Sequence, residues 1–211
     1  DLVFVYFPKL KDIFSQFLQS IFFFLATISV YFSSSFNYIL LGNFYDIKSV
    51  GIYAIADKII KAVNELSTPL NNAIYPRLSS LYKDNLNLYN KNIKHFSYLL
   101  FFVFLILSLL IAFTSKHIIS FFISDFKYLD LGIHLLTILS ISISFHSLSS
   151  FYSIIYVINQ RQRLLFEVTS VVSVISIITL SLIGDHFEII YFATGVVFIQ
   201  LLTFSILKKK Q

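Results

Sequence analysis

Long apolar runs alternate with short polar segments along almost the whole chain. A membrane-spanning helix needs roughly 20 mostly apolar residues. Six runs meet that length, at about residues 17–41, 50–75, 96–113 (extendable to 123), 131–158, 164–183 and 189–207. The second stops near Pro76, and Gly42, Gly51 and Gly184 read as breakers in the connections. The runs are long and continuously apolar rather than ten-residue segments of alternating polarity, so they predict helices and not barrel strands. In lipid a helix also satisfies every backbone polar group within its own segment. The fold class expected is all-α: a polytopic membrane bundle of about six transmembrane helices.

Composition strengthens this reading. Of 211 residues, 57% are hydrophobic and 13% charged, and the mean hydropathy is +0.80. Soluble domains carry about 25% charged residues, so the bilayer is the expected solvent. Cysteine is absent, which removes disulfide frameworks, thiolate metal sites and cysteine nucleophiles. Methionine is absent too, and Asp1 stands first, so the chain reads as the back part of a longer protein. The net charge is +5, which in a soluble protein could suggest nucleic acid. Here topology accounts for it, and no nucleic-acid partner is expected.

Six spans put both ends on one side. That side would hold Lys9, Lys11, Arg77, Lys83, Lys91, Lys94, Arg161, Arg163, Lys208, Lys209 and Lys210, against Lys48, Lys116 and Lys127 on the other. The bias predicts cytoplasmic ends, with the polar stretch "YPRLSSLYKDNLNLYNKNIKH" as a cytoplasmic loop.

The second run departs from the pattern. Within it stand Asp57, Lys58, Lys61 and Glu65. At about 100° per residue, these four and Asn64, Thr68 and Asn72 fall within roughly one third of a helix circumference. A charge at the bilayer centre costs about 2.5–3.5 kcal/mol on insertion scales. Such a stripe must therefore face the bundle interior or a water-filled cavity. Asp57 with Lys61, and Lys61 with Glu65, have the i,i+4 spacing of ion pairs. A purely structural role for the stripe is the competing reading. The first run carries a weaker polar row, Gln16, Gln19, Ser20, Thr27, Tyr31, Ser34 and Tyr38 with Asn37 beside it, which reads either as a second cavity wall or as interhelical hydrogen-bonding glue. His134 and His146 in the fourth run lie about 120° apart and read as packed, neutral side chains. Glu167 reads as a helix-end partner of Arg163, and Pro69 as a kink. No metal-ligand cluster, phosphate loop or nucleophile elbow stands in the sequence, so neither an enzyme nor a metal site is expected.

The stretch "VGIYAIADKIIKAVNELSTPLNNAIYPRLSSLYKD" resembles the eighth helix and following loop of Wzx-type O-antigen and polysaccharide flippases, in the multidrug/oligosaccharidyl-lipid/polysaccharide exporter superfamily. The elements shared are "VG-Y", "AD-[RK]-I-[IV]-[KR]", then a proline and "[YF]-P-R-[LIV]-S". "YILLGNF" resembles the end of the preceding helix. "IISFFISDFKYL" resembles the end of the ninth, although Ser124 or Asp125 stands where the family often has glycine. The resemblance implies that residues 1–211 are the C-terminal six-helix lobe of a twelve-helix, two-lobed transporter whose N-terminal lobe is missing. It implies alternating access for an undecaprenyl-diphosphate-linked oligosaccharide, moved from the cytoplasmic to the outer leaflet of the bacterial inner membrane. Lys58 and Lys61 would attract the anionic diphosphate. Asp57 and Glu65 would tune them or carry a coupling ion, H+ or Na+, with no other cofactor. Membrane lipids and polysaccharide polymerase machinery are the partners implied. A lipid II-type flippase, a multidrug antiporter and an integral-membrane polysaccharide polymerase are the alternatives. The polymerase would need a large outer loop, and the expected outer loops are short.

Overall fold

The structure is a computed structural model that describes residues 10–123 and 125–210. The side chains of residues 10–12, 15, 16, 19 and 126 lie outside that description, Gln19 among them. Eight helices follow in order among the described residues: α1 (Leu10–Phe44), α2 (Ile47–Asn64), α3 (Ser67–Asp84), α4 (Leu86–Phe122), α5 (Phe126–Ser140), α6 (Ser142–Ile158), α7 (Gln162–His186) and α8 (Ile189–Lys209). They make six runs, because α2–α3 and α5–α6 are each one expected span broken near its middle.

Short polar residues set several of the starts by accepting orphan backbone N–H groups. Asp46 caps α2 by accepting from Ser49 N at 3.1 Å. Asn85 caps α4 through the amides of Asn87 and Leu88, and Asp125 caps α5 through that of Lys127. At the end of α6, Gln160 takes a positive φ of 57°. The amides of Gln160 and Arg161 then bond back to Val157 O and Tyr156 O, at 3.1 and 2.9 Å. This is a Schellman closure with glutamine where glycine is usual.

The two breaks have separate causes. Pro69 has no N–H to offer Glu65 O, and its ring crowds that carbonyl. The chain tightens there into i→i+3 turns, Leu66 N to Val63 O and Thr68 N to Glu65 O, both 3.1 Å. At Ile141 the amide bonds to Ile138 O at 3.2 Å, and Ser140 O takes Ser108 Oγ from α4 at 2.8 Å in a buried setting. Ser108→Ala is expected to leave that carbonyl bare, at a cost of about 1–3 kcal/mol. A thermal-unfolding series on the purified full-length protein checks this, with Ser97→Ala, whose hydroxyl makes only a 3.4 Å contact to Tyr152, as the near-neutral comparison.

Contacts at the helix ends fix an alternating up-and-down order. Tyr45 Oη donates to Phe187 O at 2.9 Å, and Lys48 Nζ stands over the Tyr128 ring at 5.4 Å, so the α1–α2, α4–α5 and α7–α8 connections share one end. Tyr89 Oη donates to Asn159 Oδ1 at 2.8 Å, and Tyr156 Oη to Leu207 O at 3.1 Å. The α3–α4 and α6–α7 connections and the end of α8 therefore share the other. Lys48 and Lys127 fall at the first end; Arg161, Arg163, Lys208 and Lys209 fall at the second.

The most extensive helix pair is α1 with α7. Ser29 and Ser170 share a hydroxyl bond of 3.1 Å, and Ser173 Oγ donates to Ser29 O at 2.9 Å. Hydroxyl bonds of this kind join helices where lipid gives no hydrophobic drive. An aromatic chain ties α1, α2 and α8: Tyr38 to Tyr53, Tyr53 to Phe192 and Phe192 to Tyr45, all edge-to-face at 6.0–6.4 Å.

Several expectations change. Gly42, Gly51 and Gly184 lie inside α1, α2 and α7, not in connections. Helix interruption is penalised in lipid because freed backbone groups find no water. Gly184 instead admits the Phe44 ring, which would stand 2.5 Å from an added Cβ. Pro76 does not stop the second run, and α3 continues to Asp84. Beyond the proline, Leu78 is fully buried and the Tyr82 and Tyr89 rings meet at 5.2 Å, so packing outweighs one missing backbone bond. The expected polar loop is thus a tight helical hairpin. At 37 residues, α4 is about 55 Å long, well beyond a hydrocarbon core of about 30 Å.

Among the described residues, five helical runs are long and apolar enough to cross a membrane: residues 20–44, 86–122, 127–158, 162–186 and 189–209. The α2–α3 run is not one of them, because its charges lower its hydropathy. It lies against α5 and α6 with contact to α1. The architecture is a polytopic helical membrane bundle.

A charged cavity lined by five helical runs

Inside the bundle is a cavity of about 480 Å³, lined by α1, α2, α7, α8 and the α5–α6 run. Asp57, Lys61, Asn64 and Glu65 line its α2 wall at spacings of three or four residues, the repeat that keeps side chains on one helix face. Thr27, Tyr31, Ser34, Asn37 and Tyr38 line the α1 wall. The remaining walls are rich in hydroxyls: Ser142, Ser149 and Ser153 beside His146 on α6, Thr169, Ser173 and Ser176 on α7, and Thr203 near Gln200 on α8.

The expected residues therefore divide. The structure brings Asp57, Lys61, Asn64 and Glu65 together with Thr27, Tyr31, Ser34 and Asn37. It does not bring Lys58, Thr68 or Asn72 to this cavity. Thr68 and Asn72 lie beyond the tightened turn at 65–66, which resets the phase of an unbroken helical wheel. Lys58 stands at the edge of the stripe, exposed, with no ion pair among the described residues.

Lys61 Nζ lies 2.7 Å from Asp57 Oδ2 and 5.0 Å from the centre of the Tyr38 ring. Tyr38 Oη donates a short hydrogen bond to the same Asp57 oxygen. The carboxylate is largely covered, with 14% of its side chain exposed, whereas Lys61 is 47% exposed. Asp57 is therefore held from two sides, and Lys61 keeps an accessible ammonium. Lys61 pairs back to Asp57 and not forward to Glu65. Glu65 has no ion pair among the described residues, and it lines the same cavity as His146. The amide oxygens of Asn37 and Asn64 are buried without a protein partner. No group of three or more metal-ligating side chains occurs among the described residues.

Sequence reasoning gave too little weight to Tyr38 and set His146 aside as a packed histidine. His134, by contrast, is exposed and not packed, and its Nδ1 lies 2.7 Å from Asp130 O, one turn back within α5. The hydroxyl walls were missed, although Ser142, His146, Ser149 and Ser153, and Thr169, Ser173 and Ser176, repeat at three- and four-residue spacing. Arg163 and Glu167 make the exposed pair expected of them, at 3.1 Å.

Fold and site together define a polytopic helical membrane protein with a charged, hydroxyl-lined, half-open cavity between its helices. Residues 3–82 match the model of a family described as polysaccharide biosynthesis protein, which supports that family broadly. The match takes in α1, α2 and nearly all of α3, and hence the two walls bearing Tyr38, Asp57 and Lys61. No curated protein and no solved structure matches the chain.

Proposed function

We propose that the chain is one lobe of a transporter, not an enzyme, that flips an undecaprenyl-diphosphate-linked oligosaccharide from the cytoplasmic to the outer leaflet of a bacterial inner membrane by alternating access. The observation that carries this reading is the half-exposed Lys61 ammonium in a polar cavity, inside the segment matched by the polysaccharide biosynthesis family. An ammonium held between protein walls of low dielectric attracts a diphosphate more strongly than it would in bulk solvent. The hydroxyl walls suit a solvated chamber. The basic residues gathered at the end shared by the α3–α4 and α6–α7 connections support cytoplasmic ends. Asp57 and Glu65 are the carboxylates that would take a coupling H+ or Na+. Polymerase machinery is the partner expected downstream.

One observation favours a second reading. The cavity holds two carboxylates, Asp57 and Glu65, against one lysine, and Asp57 already engages that lysine. An excess of acid suits a cationic cargo, as in a multidrug antiporter.

Deleting the full-length parent gene and locating its lipid-linked glycan separates the readings. Single repeat units held on the cytoplasmic face are expected. Single units that reach the outer face without growing would indicate a polymerase. A normal glycan with new sensitivity to cationic compounds would favour the antiporter.

A further inference from the structure

We infer that the face of α3 turned away from α6 is a second contact surface for the glycan head, with Asn72 hydrogen-bonding sugar hydroxyls on the cytoplasmic side of Lys61. It rests on the flippase reading above and extends that site toward the cytoplasmic end. One face fixes α3 in the bundle: Ser67, Asn71 and Leu78 are buried, and Asn71 Nδ2 donates to Ser150 Oγ of α6 at 2.9 Å. At about 100° per residue the opposite face holds Pro69, Asn72, Ala73, Pro76, Ser80 and Lys83, all of them exposed. This face carries no large apolar side chain. A face that meets lipid looks different: on α4 the exposed row is Phe102, Ile106, Leu109 and Phe113. Ser80 Oγ is engaged by Asp84 at 2.9 Å, whereas the Asn72 side chain has no hydrogen-bond partner among the described residues.

The backbone adds to the polarity of this face. Pro76 has no N–H, so the Asn72 carbonyl loses its donor four residues on. A free carbonyl beside a free carboxamide is penalised in lipid but is satisfied by water or by hydroxyls, which the amide meets as both donor and acceptor. Depth fits as well. Asn72 lies about 10 Å beyond Glu65 along the helix, and Lys83 about 27 Å. With the break near the middle of a core about 30 Å thick, Asn72 falls inside that core and Lys83 at the headgroup level. The cavity opens on this side. Its α2 wall ends at Glu65, while the α6, α7 and α8 walls run on to Ser153, Leu165 and Leu207, toward the cytoplasmic end. α1 lies along α7 and barely meets α3, so α3 is the helix beside the opening. A neutral, hydroxyl-rich head leaving the Lys61 cavity in that direction meets the Asn72 face next.

The test is thiol labelling of the purified full-length protein in lipid nanodiscs with a sulfonated, membrane-impermeant maleimide. Residues 1–211 hold no cysteine, and any cysteine elsewhere in the full-length chain is replaced by serine. Asn72→Cys is expected to label about tenfold or more faster than Ile106→Cys, because a thiol in apolar surroundings stays protonated and unreactive. Ala73→Cys, on the same face, carries the same expectation and stands in should Asn72→Cys not accumulate. Rates no higher than that of Ile106→Cys would overturn the inference, since the face would then front lipid. The ligand is tested with two probes, a short-chain diphosphate-linked disaccharide and farnesyl diphosphate, which has no sugar. With the disaccharide at about ten times its Kd, labelling of Asn72→Cys is expected to fall roughly tenfold, and with farnesyl diphosphate to stay unchanged. Equal slowing by both would overturn the sugar contact. Thr203→Cys, in the cavity on α8, reports the cavity itself and is expected to be slowed by the disaccharide. Slowing at Thr203→Cys without slowing at Asn72→Cys would overturn the inference and leave the flippase reading standing. Slowing at neither position would overturn both.

Discussion

Lys61→Ala is expected to cut delivery of lipid-linked repeat units to the outer leaflet by about tenfold or more. A hydrogen bond to a charged group is worth about 1.5–3 kcal/mol, which is roughly a ten- to hundredfold change in affinity. The substitution removes the cavity's lysine and leaves Asp57 bonded to Tyr38 with no countercharge, so the cavity turns acidic. Lys61→Arg keeps the charge and should retain most transport. Lys58→Ala provides the contrast. The helical wheel puts both lysines on one stripe, but Lys58 lies outside the cavity lining, so its loss should change transport less than about twofold. The assay is the ratio of inner- to outer-leaflet lipid-linked glycan in cells carrying each variant of the full-length gene. Equal defects in Lys58→Ala and Lys61→Ala would mean that the anion site is not this cavity.

Phe192→Ala is expected to have the largest structural effect. Phe192 is fully buried and takes the edges or faces of Tyr45 and Tyr53 at 6.2 and 6.0 Å. It is the α8 member of the aromatic chain that reaches Tyr38. In water, truncation of a buried Phe costs about 3–5 kcal/mol. In a bilayer the transfer component shrinks, because lipid tails are as apolar as the core. Lost packing contacts remain, so a loss near the lower end, about 3 kcal/mol, is expected. Phe192→Leu should cost about 1 kcal/mol. Thermal stability of the purified full-length variants, followed by retention of a monodisperse species in detergent, measures both. If Phe192→Ala melts with wild type, the aromatic chain does not hold α8 against α1 and α2. Because Tyr53 packs between Phe192 and Tyr38, the variant should also loosen the Tyr38–Asp57 bond.

Much of this fold was legible from the order of apolar runs. α7 and α8 begin and end within a few residues of the runs at 164–183 and 189–207, because Arg161, Arg163, Asp185, Glu188 and the terminal lysines flank the apolar stretches. The stretch around Pro76 and Lys83 was not legible as helix. Its polarity reads as loop, and only Asn85 capping, Leu78 burial and the Tyr82–Tyr89 contact make it helical. The break at Ile141 carried no proline or glycine signal. Beside it, Ser140 O takes a hydrogen bond from Ser108, 32 residues away in sequence. Half of the site followed from local periodicity: Asp57, Lys61 and Asn64 share a face of α2, and Glu65, its C-cap, still follows the same helical turn. Thr68 and Asn72 were lost because Pro69 tightens the turn before them. Tyr38 belonged to a recognised polar row, but its bond to Asp57 is a tertiary fact. The hydroxyl walls were hidden because isolated serines and threonines in apolar helices usually bond their own i−4 carbonyls, as Ser149, Ser153 and Thr169 also do here.

The central claim is transport of a diphosphate-linked glycan through a chamber that depends on Lys61. The most direct measurement reconstitutes the purified full-length protein in sealed proteoliposomes carrying a short-chain, fluorescent, diphosphate-linked disaccharide, and follows its exposure to a membrane-impermeant quencher. Movement between leaflets that slows about tenfold or more in Lys61→Ala and persists in Lys58→Ala is the predicted result. Movement equal to that of protein-free vesicles, or unaffected by Lys61→Ala, would contradict the account.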